Sequence, residues 1–343
     1  MKDIKYLLAY TIPVSCLIAL ELKGLFSFLT VVYAFGLIPL LELVFSSSES
    51  SYSEEDKSSR LKNVLFDMML YLNLPILFGI LVYGLIVLTT QDLARYEWVG
   101  LVFSIGIVAG TNGINVAHEL GHRQTKAEQF LAKLLLLPSL YMHFFIEHNL
   151  GHHRNIGTPE DPATARKDQS VYHFWFTSII GQVRSAYHIQ KRLLEKNGKG
   201  FWSLDNELLF FFCVETGYLA LLYVLLGVQG LISGVFIALI AVLLLETINY
   251  IEHYGLVRKK VNDRYERVTP AHSWNSNHVI GRMVLYELTR HSDHHHRASK
   301  KYQILESIES SPQLPFGYTT CMVLSLITPL WFRMMNSRIT LVS

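Results

Sequence analysis

Cysteine is almost missing from this chain of 343 residues, and the absence removes several kinds of chemistry at once. Cys16, Cys213 and Cys321 are odd in number, isolated, and each set in an apolar stretch. They supply no disulfide framework, no C-x-x-C metal knuckle and no ligand set for an iron–sulfur centre. No flavin fingerprint is present either. Charge is also scarce: Asp, Glu, Lys and Arg make up 17% of the residues, and the formal net charge of +2 gives no case for nucleic acid as a partner. What the chain has instead is apolar surface, with half its residues hydrophobic and a mean hydropathy of +0.27. Its apolar runs approach the roughly 20 residues needed to cross a hydrocarbon core, which places it in the membrane class.

Six segments read as spans: residues 5–22, 25–46, 66–90, 97–117, 207–228 and 231–252. Lys2 and Lys5 precede the first in the manner of a signal peptide. A small-x-small cleavage site is lacking, however, and a second span follows at once, so the segment reads as a retained helix. The spans pair into three hairpins. Short connections at Lys23, at 91–96 and near Gln229 fall on one side, and the polar intervals 47–65, 118–206 and 253 to the end fall on the other. Of 30 Lys and Arg residues only Lys23 and Arg95 lie on the short-connection side. The positive-inside rule then puts both termini and every histidine cluster in the cytoplasm. The expected fold is all-α: one membrane-embedded domain over 1–343, with six transmembrane helices and a cytoplasmic cap formed by 118–206 and 253–343. Phe130 to Phe145 is apolar, but it is short and interrupted by Pro138, so it dips into the bilayer or lies along it. Residues 316–335, with Pro329 and Trp331, read as an interfacial or re-entrant end, and the Ser-rich stretch 47–61 as a solvated connector.

Histidine is where the chain is rich. Six of its fifteen histidines fall between Ala117 and Pro162. His118 and His122 are four apart, about 40° around a helix, so both rings reach one cation. His148 and His152 share a face in the same way, with His153 about 100° away and free to serve a neighbouring metal; Gly151 loosens the helix there. His291, His294 and His295 form a three-ligand comb spanning about 100°. His253, where the sixth span emerges, is a ninth candidate. Nine neutral donors suffice for two ions at four or five ligands each, although imidazole alone does not choose among iron, copper, nickel and zinc. His143, His173 and His188 read as structural, and His296 as an exposed extra.

The motifs NVAHELGHR, FFIEHNLGHH followed by TPEDPATAR, NYIEHYGLVR, HSWNSNH and LTRHSDHH together resemble the integral-membrane alkane hydroxylases of the AlkB type, within the membrane fatty-acid desaturase and hydroxylase superfamily. NYIEHYG is the discriminating segment. The resemblance covers the second span to about Met335. It implies two iron ions, O2 as co-substrate and hydroxylation of a terminal methyl group to a 1-alkanol. The ligands it implies are His118, His122, His148, His152, His153, His253, His291, His294 and His295, with no catalytic residue beyond them. It also implies a separate rubredoxin and an NADH-dependent reductase as electron source, and residence in the inner membrane of a bacterium. The excess of Lys and Arg, including Arg258 to Lys260 and Arg297 to Lys301, offers a docking surface for an acidic partner.

Around the boxes, Glu119, Glu147, Asp161, Glu252 and Asp293 are candidates to fix imidazoles through their second N–H or to balance nearby arginines, and His272 and His278 are candidates for the same outer role. Ala34 and Gly36 leave room either for an alkyl tail or for close helix packing. Other readings are a fatty-acyl desaturase, a hydroxylase of xylene-type or fatty-acid methyl groups, and a zinc protein without O2 chemistry.

Overall fold

The computed structural model describes residues 2–45, 47–49 and 51–342; Ser46, the expected end of the second span, and Ser50, in the Ser-rich stretch, lie outside the described residues. The long helices are α1 (Asp3–Leu22), α2 (Gly24–Val44), α3 (Leu65–Thr90) and α4 (Arg95–Gly121). They are followed by α5 (Lys126–Leu136), α6 (Val171–Lys196), α7 (Glu207–His253), α8 (His291–His296), α9 (Tyr318–Leu326) and α10 (Thr328–Val342). Five of these, α1 to α4 and α7, are long and apolar enough to cross a membrane. The all-α expectation misses one feature, an antiparallel hairpin pairing Lys260–Val261 with Arg264–Tyr265. Asn262 and Asp263 turn it with φ of 48° and 63°, the left-handed pair that a two-residue hairpin requires.

The expected fifth and sixth spans are one assigned helix of 47 residues with a break at Gly227 (φ 66°, ψ −164°). The chain reverses there. In a straight helix Leu222 and Gly234 would be about 18 Å apart, yet a Cβ on Gly234 would lie 2.3 Å from the Leu222 side chain. The turn comes two residues before Gln229 because only glycine enters this backbone region cheaply.

Two compact units make up the chain. The first comprises residues up to Leu37, Val64–Phe145 and Gln190–Leu245. Its core is built on α4, the most buried of the five apolar helices. Gly106 lets α4 approach α7 closely, since a Cβ there would sit 2.6 Å from Ile240 Cβ. Polar groups inside the bundle find each other: Asn112 Nδ2 donates to Asn73 Oδ1 (2.8 Å) and Ser104 Oγ to the Ser27 carbonyl (2.8 Å). Glu97 ties two helix starts together by accepting from the backbone N–H of Gly24 (2.7 Å) and of Ala94 (2.8 Å). The Phe130–Phe145 stretch is no single strap. Its first part belongs to α5, about 16 Å long and so too short to span. A Leu137–Ser139 turn containing Pro138 follows, ended by left-handed Leu140 (φ 50°). Ala132, Leu135, Leu136 and Met142 are buried.

The second unit comprises Ile38–Asn63, Ile146–Ile189 and Glu246 onward. The Ser-rich connector is partly ordered as a helix, Glu54–Lys62, capped by Ser53 Oγ on the Asp56 N–H (3.1 Å) and pinned by Arg60 Nε donating to the Gln303 carbonyl (2.7 Å). Residues 316–335 form two helices broken at Ile327. Trp331 is fully buried, its ring 5.7 Å from both Tyr250 and Tyr254, so it serves as core.

Candidate metal centre

Seven of the nine candidate histidines lie in the second unit and gather into two groups, and the division differs from the one helical spacing suggests. His148, His153 and His294 form one, with Nε2 separations of 3.0 Å (His148 to His153) and 3.2 Å (His153 to His294). His152, His253, His291 and His295 form the other, at 3.3 Å (His152 to His295), 3.2 Å (His253 to His291) and 2.8 Å (His291 to His295). Within each group one donor atom per ring lies within 4.8 Å of all the others.

The backbone explains the division. His148–His152 is a π-helical turn, not an α-helical one. Its i→i+5 closure brings His148 and His153 together and swings His152 away, so His148 and His152 do not share a target. Gly151 makes the turn possible: a Cβ there would lie 2.5 Å from Glu147 Oε1 and 3.0 Å from Ile189 Cδ1. The comb on α8 is divided too, with His291 and His295 facing one group and His294, about 100° around from His295, facing the other. Just before α8, Tyr286 and Glu287 are held at φ 51° and 60°. Arg282 Nε donates to Glu287 Oε2 at 2.6 Å, and Arg290 stands 3.5 Å from the same oxygen. Such left-handed non-glycine residues persist only where surroundings enforce them, and they cluster at functional sites.

A neutral imidazole has one N–H and one lone pair. Rings that all turn Nε2 inward set lone pairs against each other unless a cation takes them. Donors bonded at about 2.1 Å to one ion are about 3.0 to 3.4 Å apart for right-angle and tetrahedral pairs, close to the separations seen here. The outer nitrogens fit the same role. His152 Nδ1 is 2.9 Å from Asp161 Oδ2, and Asp161 is held by Thr164 Oγ1 (2.6 Å) and the Ala163 N–H (3.1 Å). His253 Nδ1 faces the His272 carbonyl at 3.4 Å. Each contact places the proton on Nδ1 and leaves Nε2 bare for a metal. Burial pulls the His152 pKa down, but Asp161 outweighs it and the net shift is upward. His295 is pushed well below the usual value by burial and by its neighbouring rings.

In the first unit His118 and His122 close α4, with ring centroids 5.1 Å apart. Beside them Glu119 pairs with Arg123 (2.8 Å), which also meets Asp67 (3.1 Å), so charge balance occupies this carboxylate.

Residues 96–325 match the fatty acid desaturase family. The chain is 38% identical over 310 residues to alkane 1-monooxygenase 2 of Alcanivorax borkumensis, an alignment covering 90% of this chain and 81% of the relative. It is 37% identical over 311 residues to alkane 1-monooxygenase of Pseudomonas putida, covering 90% and 77%. The hydroxylase component of xylene/toluene monooxygenase from Pseudomonas putida is 30% identical over 292 residues, covering 81% and 75%. The chain belongs to the alkane 1-monooxygenase family.

Glu252 Oε2 lies 3.1 Å from His291 Nε2, the inward nitrogen and not the outer one. Glu147 is buried, accepts from Ser185 Oγ (3.1 Å), and is pushed up to about 8 by burial and by Asp161. Asp293 turns from the histidines to Lys300 Nζ (2.5 Å) and the Glu306 N–H (2.8 Å). The His272 ring caps its own turn, accepting from the Thr269 N–H (2.9 Å), so this residue reaches the site only by its carbonyl. His278 pairs with Ser276 Oγ (2.9 Å). His143 meets Tyr141 edge to face at 4.3 Å, and His173, His188 and His296 are exposed. Arg258 is buried, bonded to the carbonyls of Glu266 and Arg154, and therefore unavailable for docking; Lys259, Lys260 and Arg297 are exposed. Ala34 is buried in a π-helical stretch of α2, whereas a Cβ on Gly36 would meet only Val32 of its own helix. Thr164, Ser185 and the Arg282–Glu287–Arg290 cluster escape sequence reasoning, although the charges packed into YELTRHSDHH signal the last of these.

Proposed function

We propose that this protein is a membrane-embedded, dinuclear non-haem iron monooxygenase that hydroxylates the terminal methyl of medium- or long-chain n-alkanes. In this reading O2, two electrons, two protons and the alkane give a 1-alkanol and water. The observation that carries it is His253, from NYIEHYG, standing among histidines of two other segments with every Nε2 turned inward. With His118 and His122 of the first unit, the family resemblance gives nine histidines for two ions. Bound iron would supply the redox chemistry that joins one oxygen atom of O2 to the substrate carbon.

The chain's own residues do the rest. Asp161 and the His272 carbonyl keep the Nδ1 protons in place and aim the rings. An n-alkane offers no polar handle, so selection rests on apolar burial at about 0.8 kcal/mol per CH2. The bilayer is its reservoir, and the apolar helices, with Ala34 on α2, are its route. With α7 reversing at Gly227, the five apolar helices make six crossings. The asymmetry of 28 cations against 2 then orients both termini and the histidines toward the cytoplasm, in the inner membrane of a bacterium. Electrons come from a separate rubredoxin served by an NADH-dependent reductase, since isolated cysteines build no redox centre here.

The likeness to the xylene/toluene enzyme favours one second reading, a benzylic methyl as substrate. Iron-loaded protein in lipid, given rubredoxin, its reductase, NADH and a panel of n-alkanes and xylenes, separates them by product mass. The absence of any 1-alkanol sinks the first reading.

A further inference from the structure

Resting on the dinuclear reading above, we propose that Glu246 is a positioning residue for the metal centre, a buried carboxylate seated on α6 whose negative charge compensates the cations held by the histidines. Glu246 is fully buried in α7. Its Oε2 accepts from Ser178 Oγ (2.6 Å) and Asn249 Nδ2 (3.3 Å), and its Oε1 from Gln182 Nε2 (2.8 Å). Each of these groups donates, an arrangement built for an anion. Ser178 and Gln182 are fully buried themselves and lie one turn apart on α6. Ser185, one turn further, donates to Glu147. A helix that carries no metal ligand therefore presents a polar stripe to two carboxylates, one on each of two ligand-bearing segments.

Register joins Glu246 to the site. His253 lies seven residues on, two turns or about 10 Å along the axis and on nearly the same face. Ser178 and Ser185, two turns apart on α6, tie Glu246 to the same helix that holds Glu147, the residue before His148. Neutral imidazoles contribute no charge, and two divalent ions would bring four positive charges into a buried site. Glu147, Asp161, Glu246 and Glu252, all buried in the second unit, are the carboxylates available to offset them. A buried carboxylate held by neutral donors keeps its charge best beside cations.

The test is metal uptake by stripped protein in detergent, titrated with iron(II) against a chromophoric chelator, with the midpoint potential measured on the loaded form. Glu246→Gln keeps the shape and removes the charge. Its affinity should fall by about 10- to 100-fold, as for other outer partners of metal ligands, and its potential should rise because the reduced, less charged state gains. Glu246→Asp should stay within a few-fold of native. Equal loss in both variants would make the role steric and overturn the proposal. So would native affinity and potential in Glu246→Gln. Should that variant fail to fold, Ser178→Ala keeps the charge but loosens its seat, and an affinity unchanged there overturns the proposal equally. A native protein that takes up no metal would instead bring down the dinuclear reading itself.

Discussion

Glu252 Oε2 lies 3.1 Å from His291 Nε2, and that nitrogen is itself 2.8 Å from His295 Nε2 and 3.2 Å from His253 Nε2. The carboxylate thus occupies the inner side of the four-histidine group, where a fifth donor stands. Glu252→Gln leaves only neutral groups around that ion. Iron content should drop from two toward one per chain, read by elemental analysis of purified protein. Full retention of two irons would remove Glu252 from the inner set.

Asp161 acts one bond further out. Asp161→Asn keeps the size but offers an amide where the His152 N–H needs an anion. Affinity at the four-histidine group should fall about 10- to 100-fold with little change in fold. Chelator competition measures the first and circular dichroism the second.

Gly151→Ala addresses the π-helical turn. The new methyl would come within 2.5 Å of Glu147 Oε1 and 3.0 Å of Ile189 Cδ1. Overpacking of this kind costs about 1–3 kcal/mol. Because the turn decides which group each ring faces, metal content should fall together with the melting temperature. A variant that melts lower but holds both ions would show the turn to be robust.

The sequence makes the helices, the three boxes and the entry of His253 legible, because apolar runs and i, i+4 spacing survive as pattern. The allotment of rings to groups is not legible. Helical geometry pairs His148 with His152, and only the π-turn, set by a glycine against a glutamate side chain, reverses that. The reversal in α7 is expected near Gln229 from hydropathy and occurs at Gly227 for a backbone reason. Trp331 looks like an interfacial anchor by type, but its packing against Tyr250 and Tyr254 depends on partners some eighty residues away in the chain.

His143 supplies a pH signature separate from the metals. Burial lowers its pKa from 6.5 to about 4. Between those values the unfolded chain binds a proton that the folded one refuses, so stability falls as pH drops from 6.5 toward 4. The loss is about 3 kcal/mol at full extent. His143→Phe keeps a ring against Tyr141 and should remove that share of the acid sensitivity. Between pH 7 and pH 4.5 the melting temperature of the metal-free variant should therefore fall less than that of the metal-free native chain.

His152 and His153 are consecutive, and so are His294 and His295, yet each pair sends one ring to each group. Neighbouring Cα atoms are fixed about 3.8 Å apart. Two peptide bonds, contributed by segments far apart in the chain, therefore link the groups without any shared ligand. A displacement of the backbone at one group is carried through them to the other.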